Sequence, residues 1–536
     1  MRVDLVVFGH VPRWDLGQVH ELPVDAPLAA IAAAFDRAAA QSDAFLSWDT
    51  ALGEPDREAV EAVLARPGDV HHAGLTLGLG GLPQAVDFVH PTWMLNADAP
   101  SAIESSSWRV SWKACFVRAE VWRQLGGLDT GFVSRDAAFL DLGYRWVRAG
   151  VLLRQQPLLV PERVHPPHGR LDLVDELRFA RRHFGAFWFR WMVMRALATA
   201  TYAPADVARA WPQLRGVAPV KRILFERPVA PAAPVPADAR VTVLIPTIER
   251  YPYLRPLLEQ LRLQTHKPAE IIVIDQTPAA VRDANLAADF ADLPIKLMVQ
   301  EEPGQCRSRN AGLHASTGDF ILFIDDDDEI QPTLIADHLA ALARHRSDAS
   351  CGVADEVDAG PLPVDFTYLR TSDVFPTNNA MIRRGLLART GLFDMAYDRM
   401  PRADADLGMR AHLAGALMVL DPSIRVLHHH APRGGLRMHK ARVMTYAASR
   451  QKITARHLPS PSEVYLAMRY HSPDRVREML WQRTLGTLAG RGSSLRRGMK
   501  SVVGATQLPG TIRAIRAAEA RARAMLGEFP QIDHLG

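Results

Sequence analysis

The sequence has few of the residues on which two common protein classes depend. It contains three cysteines in 536 residues, and none of them belongs to a CxxC pair. A disulfide scaffold is therefore excluded, and a zinc site built from cysteine is disfavoured. Isolated cysteines indicate a reducing compartment. The three are Cys115, Cys306 and Cys351.

Long apolar runs are also lacking. The opening residues contain none long enough for a signal peptide. The most membrane-like stretch, from Phe184 to Ala200, is interrupted by Arg190 and Arg195. It falls short of the roughly 20 apolar residues that a transmembrane helix needs. We predict no transmembrane span.

The small net charge of +4 conceals an asymmetry. Residues 431–536 hold 19 Lys/Arg against 6 Asp/Glu, while residues 1–430 hold 44 against 53. The chain is thus an acidic body with a basic tail. Apolar residues at 48% and charged residues at 23% are ordinary for a globular protein, so a disordered or collagen-like chain is excluded.

A proline-rich stretch, residues 226–240, divides the chain and is typical of an extended linker. After it, the apolar runs VTVLIP, IIVID, IKLMV and FILFID alternate with helical patterns. This alternation predicts an α/β fold with a mostly parallel, doubly wound sheet. Such sheets bind ligands at the carboxyl ends of their strands, where IIVID and FILFID place acids.

The chain contains an internal repeat. Residues 113–169 align without a gap on residues 378–434, and 15 of the 57 positions are identical. A weaker match pairs residues 43–50 with 319–326. The N-terminal part therefore resembles a second, partial copy of the later fold. Too few residues precede Asp49 for equivalents of VTVLIP through IIVID, so we expect those strands to be missing.

Four consecutive aspartates in FIDDDDE, residues 323–329, follow an apolar strand. Neighbouring carboxylates disfavour joint ionisation, and a divalent cation relieves that cost. Hard oxygen ligands suit Mg²⁺ or Mn²⁺. A solvated acidic turn is the alternative, but the pattern favours a metal site at Asp325 and Asp327.

Asp404 lies where a helix begins, and a carboxylate there often only caps the helix. The repeat separates the two interpretations. Asp406 matches Asp141, whereas Asp404 matches Phe139 and Asp327 matches Ala51. The first copy keeps scaffold positions and lacks two acids, which supports chemistry at Asp327 and Asp404.

Two further groups carry weaker signals. Arg307 and Arg309 open a helix behind a glycine-containing turn, an arrangement suited to a diphosphate, although surface arginines are equally common. In VLHHHAP, His428 and His430 share one face of an extended strand. The first copy retains His165 opposite His430, which favours a structural role for His430 and leaves His428 as a weak metal-ligand candidate.

Residues 241–430 resemble the family 2 glycosyltransferases with the GT-A fold. The resemblance rests on VTVLIPTIER, EIIVIDQTP, GQCRSRNAGLHASTGDFILFIDDDDEIQP, NNAMIRRGLLARTGLFD and RADADLGMRAHLAG. It implies inverting transfer from a nucleotide-diphosphate sugar, a DxD metal motif at Asp325 and Asp327, and a base at Asp404. Candidate nucleotide-sugar contacts are Pro246, Thr247, Glu249, Asp275, Gln276, Arg307, Arg309, Asp325 and Asp326.

The sequence departs from the family pattern at two positions. Ala403 replaces the glutamate that precedes the base, and Gln276 replaces the second acid after the second strand. The second change leaves the nucleotide base open. We expect five regions: a degenerate GT-A-like domain (1–170), a helical connector (171–225), the linker (226–240), the catalytic domain (241–430) and a basic helical region (431–536).

The basic region contains a predicted helix with Ile512, Ile515, Ala518, Ala522 and Met525 on one side. Basic amphipathic helices suit anionic membranes, as does the aromatic run around Trp188 and Trp191, although packing between helices is the simpler explanation. We expect a cytoplasmic enzyme that uses Mn²⁺ or Mg²⁺ and extends a cell-surface glycan on a glycan or lipid-linked acceptor. Peripheral contact with the inner face of the membrane is compatible with the basic region. A nucleotidyltransferase and a non-catalytic glycan-binding scaffold remain alternatives; no nucleic-acid motif is present.

Overall fold

The computed structural model describes residues 1–73, 94–160, 171–228, 238–357, 360–429, 431, 452–490 and 492–535. The strands are β1 (Val3–Phe8), β2 (Val19–Leu22), β3 (Ala44–Asp49), β4 (Val70–His72), β5 (Ser105–Ser106), β6 (Ala114–Arg118), β7 (Leu153–Gln155), β8 (Val241–Thr247), β9 (Glu270–Asp275), β10 (Ile295–Val299), β11 (Phe320–Phe323), β12 (Asp328–Ile330), β13 (Ala349–Glu356), β14 (Arg370–Thr371), β15 (Ala380–Arg383) and β16 (Met418–His428).

The α-helices are α1 (Leu28–Gln41), α2 (Arg57–Leu64), α3 (Ala119–Leu125), α4 (Arg135–Ala149), α5 (Leu173–Ala198), α6 (Pro204–Ala210), α7 (Tyr251–Arg262), α8 (Leu286–Asp289), α9 (Gln305–Ala315), α10 (Leu334–His345), α11 (Leu386–Thr390), α12 (Ala403–Leu413), α13 (Pro461–Tyr470), α14 (Pro473–Gly486) and α15 (Ser494–Glu528). Among the described residues, no helix combines the length and apolarity needed to cross a bilayer.

Two sheets organise the chain. The first runs β2-β1-β3-β6-β4-β7-β5, and the second runs β10-β9-β8-β11-β15-β13-β16-β12 with β14 also on β16. Both faces of the second sheet are buried: Val241, Val243 and Ile245 enter one apolar cluster, and Leu244 enters the other. A strand buried on both faces must be apolar throughout, which is why VTVLIP is a continuous apolar run.

The sheets repeat one pattern of pairing. The order β1-β3-β6-β4-β7-β5 has the same strand directions as β8-β11-β15-β13-β16-β14. The register also agrees. Ala44 pairs with Arg118 in the first sheet, and their counterparts in the second copy, Phe320 and Arg383, pair in the second sheet. The duplication inferred from the sequence is thus visible in the fold.

One expectation about the first copy is wrong. β1 pairs with β3 as β8 pairs with β11, and β2 pairs with β1 as β9 pairs with β8, always in parallel. Equivalents of VTVLIP and IIVID therefore exist before Asp49. They fit because residues 9–18 join β1 to β2 without a helix, whereas the second copy uses α7 for the same connection.

The two copies meet through equivalent glycines. A Cβ on Gly150 would lie 2.4 Å from the carbonyl oxygen of Leu369, and a Cβ on Gly415 would lie 2.2 Å from that of Glu104. Both glycines have positive φ, 99° and 81°. The reciprocal contacts describe a pseudo-twofold arrangement that requires glycine at both positions.

A helix follows each copy and contacts the aspartate that the two copies share, Asp141 in the first and Asp406 in the second. His183 of α5 contacts Asp141 at 2.8 Å, and the Tyr470 hydroxyl of α13 donates to Asp406 at 2.6 Å. The repeated unit therefore extends one helix further than the sequence alignment indicated.

In the basic C-terminal region, the predicted helix lies within α15. Ala518, Ala522 and Met525 pack in one core cluster with Val464 of α13, whereas Ile512 is 37% exposed. The apolar side of this helix is thus used mainly for internal packing, as the simpler explanation held.

Candidate functional site

The aspartate run lies at the carboxyl edge of the second sheet. β8 and β11 are parallel neighbours, so Thr247 at the end of β8 lies beside the residues that follow β11. Its hydroxyl donates to Asp326 Oδ2 at 2.7 Å. Asp326, Asp327 and Asp328 are all buried, while Asp325 is half-buried. The run is therefore an inward-facing feature and not a solvated turn.

Arg250 supplies the positive charge for these buried acids. Its Nη1 lies 3.0 Å from Asp326 Oδ1 and 3.3 Å from Asp327 Oδ1, and its side chain is only 8% exposed. Burial raises the pKa of Asp326 to about 6, with Arg250 and Thr247 acting in the opposite direction. Sequence reasoning missed Arg250, because a single arginine after VTVLIPTIE carries no periodic signal.

Three side chains converge as a possible metal site. Ligand atoms of Asp325, Asp327 and His428 all lie within 4.8 Å of one another. The antiparallel pairing of β12 with β16 places His428 here. In this pairing His428 lies opposite Asp328, which is 100 residues earlier in the sequence. Two carboxylates and an imidazole fit a divalent cation.

His428 also forms a buried pair with Asp328, at 2.8 Å from Nδ1 to Oδ1. Burial raises the pKa of the Asp328 carboxyl, opposed by His428. Burial lowers the pKa of His428, but the hydrogen bond and charge of Asp328 outweigh that effect and raise it. Because a metal ligand must be a neutral imidazole, binding an ion through His428 requires loss of a proton.

The expected nucleotide edge lies at the ends of β8 and β9. Asp275 ends β9 and accepts hydrogen bonds from the Tyr251 hydroxyl at 2.7 Å and the Thr277 amide at 2.9 Å. Pro246 is paired with Ile274 in the same ladder. Glu249 has a positive φ of 55° and an exposed side chain.

Gln276 has a positional role in the observed structure. Its Oε1 accepts from the Gly304 amide at 2.7 Å and from the Gln300 side chain at 3.3 Å. It thus fastens the turn that precedes α9. Because this turn leads into α9, its position determines where Arg309 of that helix lies, and Arg309 contacts Asp325.

The two arginines of α9 differ in position. Arg309 is 8% exposed and its Nη2 donates to Asp325 Oδ1 at 3.0 Å. Arg307 is exposed and pairs with Glu302. The structure therefore brings Arg309, but not Arg307, onto the aspartate run.

The start of α9 is already capped. The amides of Cys306 and Arg307 donate to Asp398 Oδ1 at 2.9 and 2.8 Å. A Cβ on Gly304 would lie 2.1 Å from Asp398, so glycine is required for this contact. These two amides already have an acceptor, which leaves Arg307 and Arg309 as the cationic groups of the motif.

Asp404 lies in the first turn of α12 and is half-buried. Its Oδ1 accepts from the adjacent Ala405 amide at 2.8 Å. Asp406 behaves differently: it is fully buried, and Arg410 donates to it at 2.7 Å. Asp398, which caps the start of α9, lies five residues before the first residue of α12.

Among the described residues of the first copy, no comparable arrangement is found. Asp49, the counterpart of Asp325, accepts from the Ala51 amide at 3.0 Å and lies 3.8 Å from Lys113. Phe139, the counterpart of Asp404, is fully buried in the core. His165 and His430, discussed above as structural histidines, lie outside the described residues.

Part of this chain is similar in sequence to known glycosyltransferases. Residues 242–395 match the family model described as Glycosyl transferase family 2. The Uncharacterized glycosyltransferase YwdF of Bacillus subtilis is 28% identical over 172 residues, which are 29% of this chain and 62% of YwdF. The Pre-mycofactocin glycosyltransferase of Mycobacterium tuberculosis is 28% identical over 262 residues, 45% of this chain and 53% of that protein.

The chain thus spans less than two thirds of the length of these curated relatives. Among solved structures, S. aureus TarS 1-349 in complex with UDP-GlcNAc is 17% identical with a TM-score of 0.35, covering 55% of this chain and 92% of that chain. The mannosyltransferase PcManGT from Pyrobaculum calidifontis, in complex with GDP-Man and Mn²⁺, has a TM-score of 0.31 and 17% identity, covering 56% and 83%.

Proposed function

We propose, from the premise that residues 242–395 form a glycosyl transferase family 2 domain with the GT-A fold, that this protein is an inverting glycosyltransferase. It moves a sugar from a nucleotide-diphosphate sugar to a glycan or lipid-linked acceptor, in the synthesis of a cell-surface polysaccharide. The observation that carries the proposal is the convergence of Asp325, Asp327, His428 and Arg309 at the carboxyl edge of the second sheet.

The leaving diphosphate is held by positive charge. Asp325, Asp327 and His428 would hold Mn²⁺ or Mg²⁺, which when bound neutralises charge on diphosphate oxygens. Arg309, already positioned by Asp325, adds a guanidinium that matches phosphate geometry. Thr247 and Asp275 line the nucleotide edge, with Gln276 fixing the neighbouring turn.

Asp404 acts as the general base. Displacement at the anomeric carbon with inversion needs a base that removes the proton of the acceptor hydroxyl on the face opposite the leaving group. Asp404 is half-buried and its one described partner is the adjacent amide of Ala405, so the carboxylate is available to an acceptor. Asp406 is engaged with Arg410 and Tyr470 and holds the helix in place.

Asp404→Asn tests the base assignment. We expect sugar transfer to fall by a factor of about 10² or more, since general-base catalysis contributes roughly 10²–10⁴-fold. Binding of the nucleotide sugar, measured by thermal shift with Mn²⁺, should remain. Asp337→Asn, an exposed first-turn aspartate of α10, is the matched control and should keep full activity. Unchanged transfer by the Asp404 variant would show that another group is the base.

Two alternatives differ in their substrates and products. A nucleotidyltransferase would release pyrophosphate from a nucleoside triphosphate and a sugar phosphate, whereas a glycosyltransferase releases a nucleoside diphosphate from a nucleotide sugar. A non-catalytic glycan-binding scaffold would turn over none of a panel of nucleotide sugars. The half-buried Asp404 and the buried aspartate run favour transfer over both.

A peripheral membrane contact completes the proposal. Leu495, Met499 and Val502 are 76%, 50% and 68% exposed and share one face of α15, next to Arg496 and Arg497. Exposed apolar residues beside arginines suit an anionic lipid surface, where a lipid-linked acceptor resides.

Vesicle flotation tests the membrane contact. Replacing Leu495, Met499 and Val502 by serine should abolish flotation with anionic vesicles while leaving the fold intact, because all three side chains are exposed. Serine at Val281 and Val364, which are 60% and 57% exposed elsewhere, is the control. Equal flotation of both variants would refute the contact.

A further inference from the structure

The segment that leads to Asp404 has little regular structure. Residues 391–402 connect α11 to α12 and contain a 3₁₀ turn, Met395–Tyr397. At the end of the segment Arg402 has a φ of 91°, in the left-handed region that a residue with a Cβ adopts at a cost. Such a conformation persists only where surrounding contacts hold it. The contacts of this segment therefore decide where the first turn of α12, and with it Asp404, lies.

The beginning of the segment is held by the C-terminal region. The Tyr465 hydroxyl donates to Asp394 Oδ2 at 2.8 Å, and Arg469 Nη1 donates to the same oxygen at 3.2 Å. The other oxygen of Asp394 accepts from the Ala396 amide at 2.9 Å. Asp394 and Tyr465 are both buried. Water does not compete for these hydrogen bonds, so they fix the segment at this point.

The far side of the segment is held by the same helix, α13. The Tyr470 hydroxyl donates to Asp406 Oδ1 at 2.6 Å, while Arg410 donates to Asp406 Oδ2 at 2.7 Å. Asp406 is buried and lies two residues after Asp404 in the first turn of α12. Tyr470 thus reaches the helical turn that carries the proposed base.

Three side chains of α13 make these contacts, and we call them the α13 clamp: Tyr465, Arg469 and Tyr470. The helix itself is fixed by packing, since Val464 lies in the core cluster that contains Ala522 of α15. A single supported helix therefore holds Asp394 and Asp406, which lie on either side of the segment, in fixed positions.

The middle of the segment is tied to α9. The side-chain amide of Gln305 donates to the Tyr397 carbonyl at 2.7 Å and also to the Met400 carbonyl. Asp398 caps the same helix. Because α9 also carries Arg309, the proposed diphosphate-binding group, the clamp holds the ends of a segment whose middle contacts the helix of the donor site.

The clamp is repeated in the first copy. The counterparts of the two clamped aspartates are Asp129 and Asp141. Three side chains of α5 contact them at 2.9, 2.7 and 2.8 Å: Arg178, Arg182 and His183. Their spacing along α5 equals that of the clamp along α13. The second copy differs in using two tyrosine hydroxyls, so substitution of tyrosine by phenylalanine removes one hydrogen bond without leaving a buried cation unpaired.

We propose that Tyr465 and Tyr470 are positioning residues, which hold the two ends of this segment so that Asp404 meets the acceptor hydroxyl. The inference rests on the proposed function, because it takes Asp404 as the base. A displacement of about 1 Å at a reacting group can cost roughly 10²-fold in rate. The C-terminal region, residues 431–536, is then part of the transferase unit and contributes to kcat.

Tyr470→Phe in the full chain tests the clamp. We expect kcat for sugar transfer to fall about tenfold, a moderate misplacement of the base. The Kd for the nucleotide sugar with Mn²⁺ should change less than twofold, because the donor contacts are not altered. Tyr465→Phe should act in the same direction. An unchanged kcat in both variants would show that the clamp does not position Asp404.

Tyr202→Phe is the matched control. The Tyr202 hydroxyl donates to Glu176 Oε2 at 2.6 Å within the helical connector of the first copy, and both residues are buried. This variant should lower Tm by an amount similar to that of Tyr470→Phe and leave kcat unchanged. If Tyr202→Phe reduces kcat as much as Tyr470→Phe does, the effect is a general loss of stability and the proposal is wrong.

A double-mutant cycle shows whether Tyr470 acts through Asp404. In the Asp404→Asn background, with the residual transfer followed in single turnovers, Tyr470→Phe should lower the rate less than twofold, because the base that it positions is gone. A tenfold fall in both backgrounds would overturn the proposal. Full transfer by Asp404→Asn alone would instead refute the base assignment, whereas a normal kcat in Tyr470→Phe beside an impaired Asp404→Asn would refute only the clamp.

Discussion

Replacing Arg250 by glutamine removes the cation that the buried aspartates share. Its guanidinium lies 3.0 Å from Asp326 and 3.3 Å from Asp327, with side chains 8%, 4% and 0% exposed. Breaking a buried pair by removing one partner costs about 3–5 kcal/mol, since a charge is left uncompensated. For Arg250→Gln in the metal-free protein we take a loss of about 3 kcal/mol in the free energy of unfolding.

The cost must depend on pH. The pKa of Asp326 is about 6 in the folded protein and ordinarily near 3.8. A raised folded-state value means that the native carboxyl holds its proton longer, so its ionisation destabilises the fold as pH rises through 6. Near pH 5 Asp326 is mostly protonated, so the loss of Arg250 lowers the free energy of unfolding less. Near pH 8 Asp326 is ionised, and the loss of Arg250 has its full effect.

Scanning calorimetry in EDTA measures both the loss of stability and its dependence on pH. At about 2 °C per kcal/mol for a large domain, Arg250→Gln should lower Tm by about 6 °C near pH 8 and by about half of that or less near pH 5. Arg255→Gln is the control, because its pairs with Asp283 and Asp289 lie at the surface and contribute about 1 kcal/mol or less.

Manganese provides a second readout of the same variant. An ion at the aspartates supplies the charge that Arg250 supplied, so Mn²⁺ should raise the Tm of Arg250→Gln by more than that of the wild type. A loss of Tm that is equal at both pH values, or below about 1 °C, would show that Arg250 does not support the ionised carboxylates.

Three further predictions concern His428, Asn379 and His338. Mn²⁺ affinity, measured by calorimetry, should rise with pH because His428 must release a proton, and His428→Gln should flatten that dependence. Asn379→Ala should lower unfolding free energy by about 3 kcal/mol or more in urea titrations, since Asn379 is buried and bonds the Val353 and Ile424 carbonyls at 3.1 Å and His338 at 2.9 Å. Burial lowers the pKa of His338 to about 4, so the folded protein favours the neutral imidazole. The resulting stabilisation is complete above about pH 6.5 and is lost as the pH falls toward 4. His338→Gln should therefore reduce the loss of stability in acid, whereas His314→Gln, at an exposed histidine, should not.

Strand-and-helix alternation was sufficient to predict the α/β class, and the family comparison confirms the resemblance for residues 242–395. The duplication was also predictable, because identical glycines and aspartates recur at a constant offset. The strands of the first copy before Asp49 were not, since the helix that normally signals a parallel crossover is absent there. The roles of Asp404 and of the nucleotide-edge residues stay predictions.

The sequence by itself determined the strands β8 to β11, the duplicated scaffold and the run of acids after β11, because periodicity and local charge are properties of neighbouring residues. Only the tertiary structure decided which distant groups meet those acids. Strand pairing brings His428 to Asp328, and Arg250 and Arg309 reach the run from two other segments. Such contacts depend on sheet order and register, which no local pattern encodes.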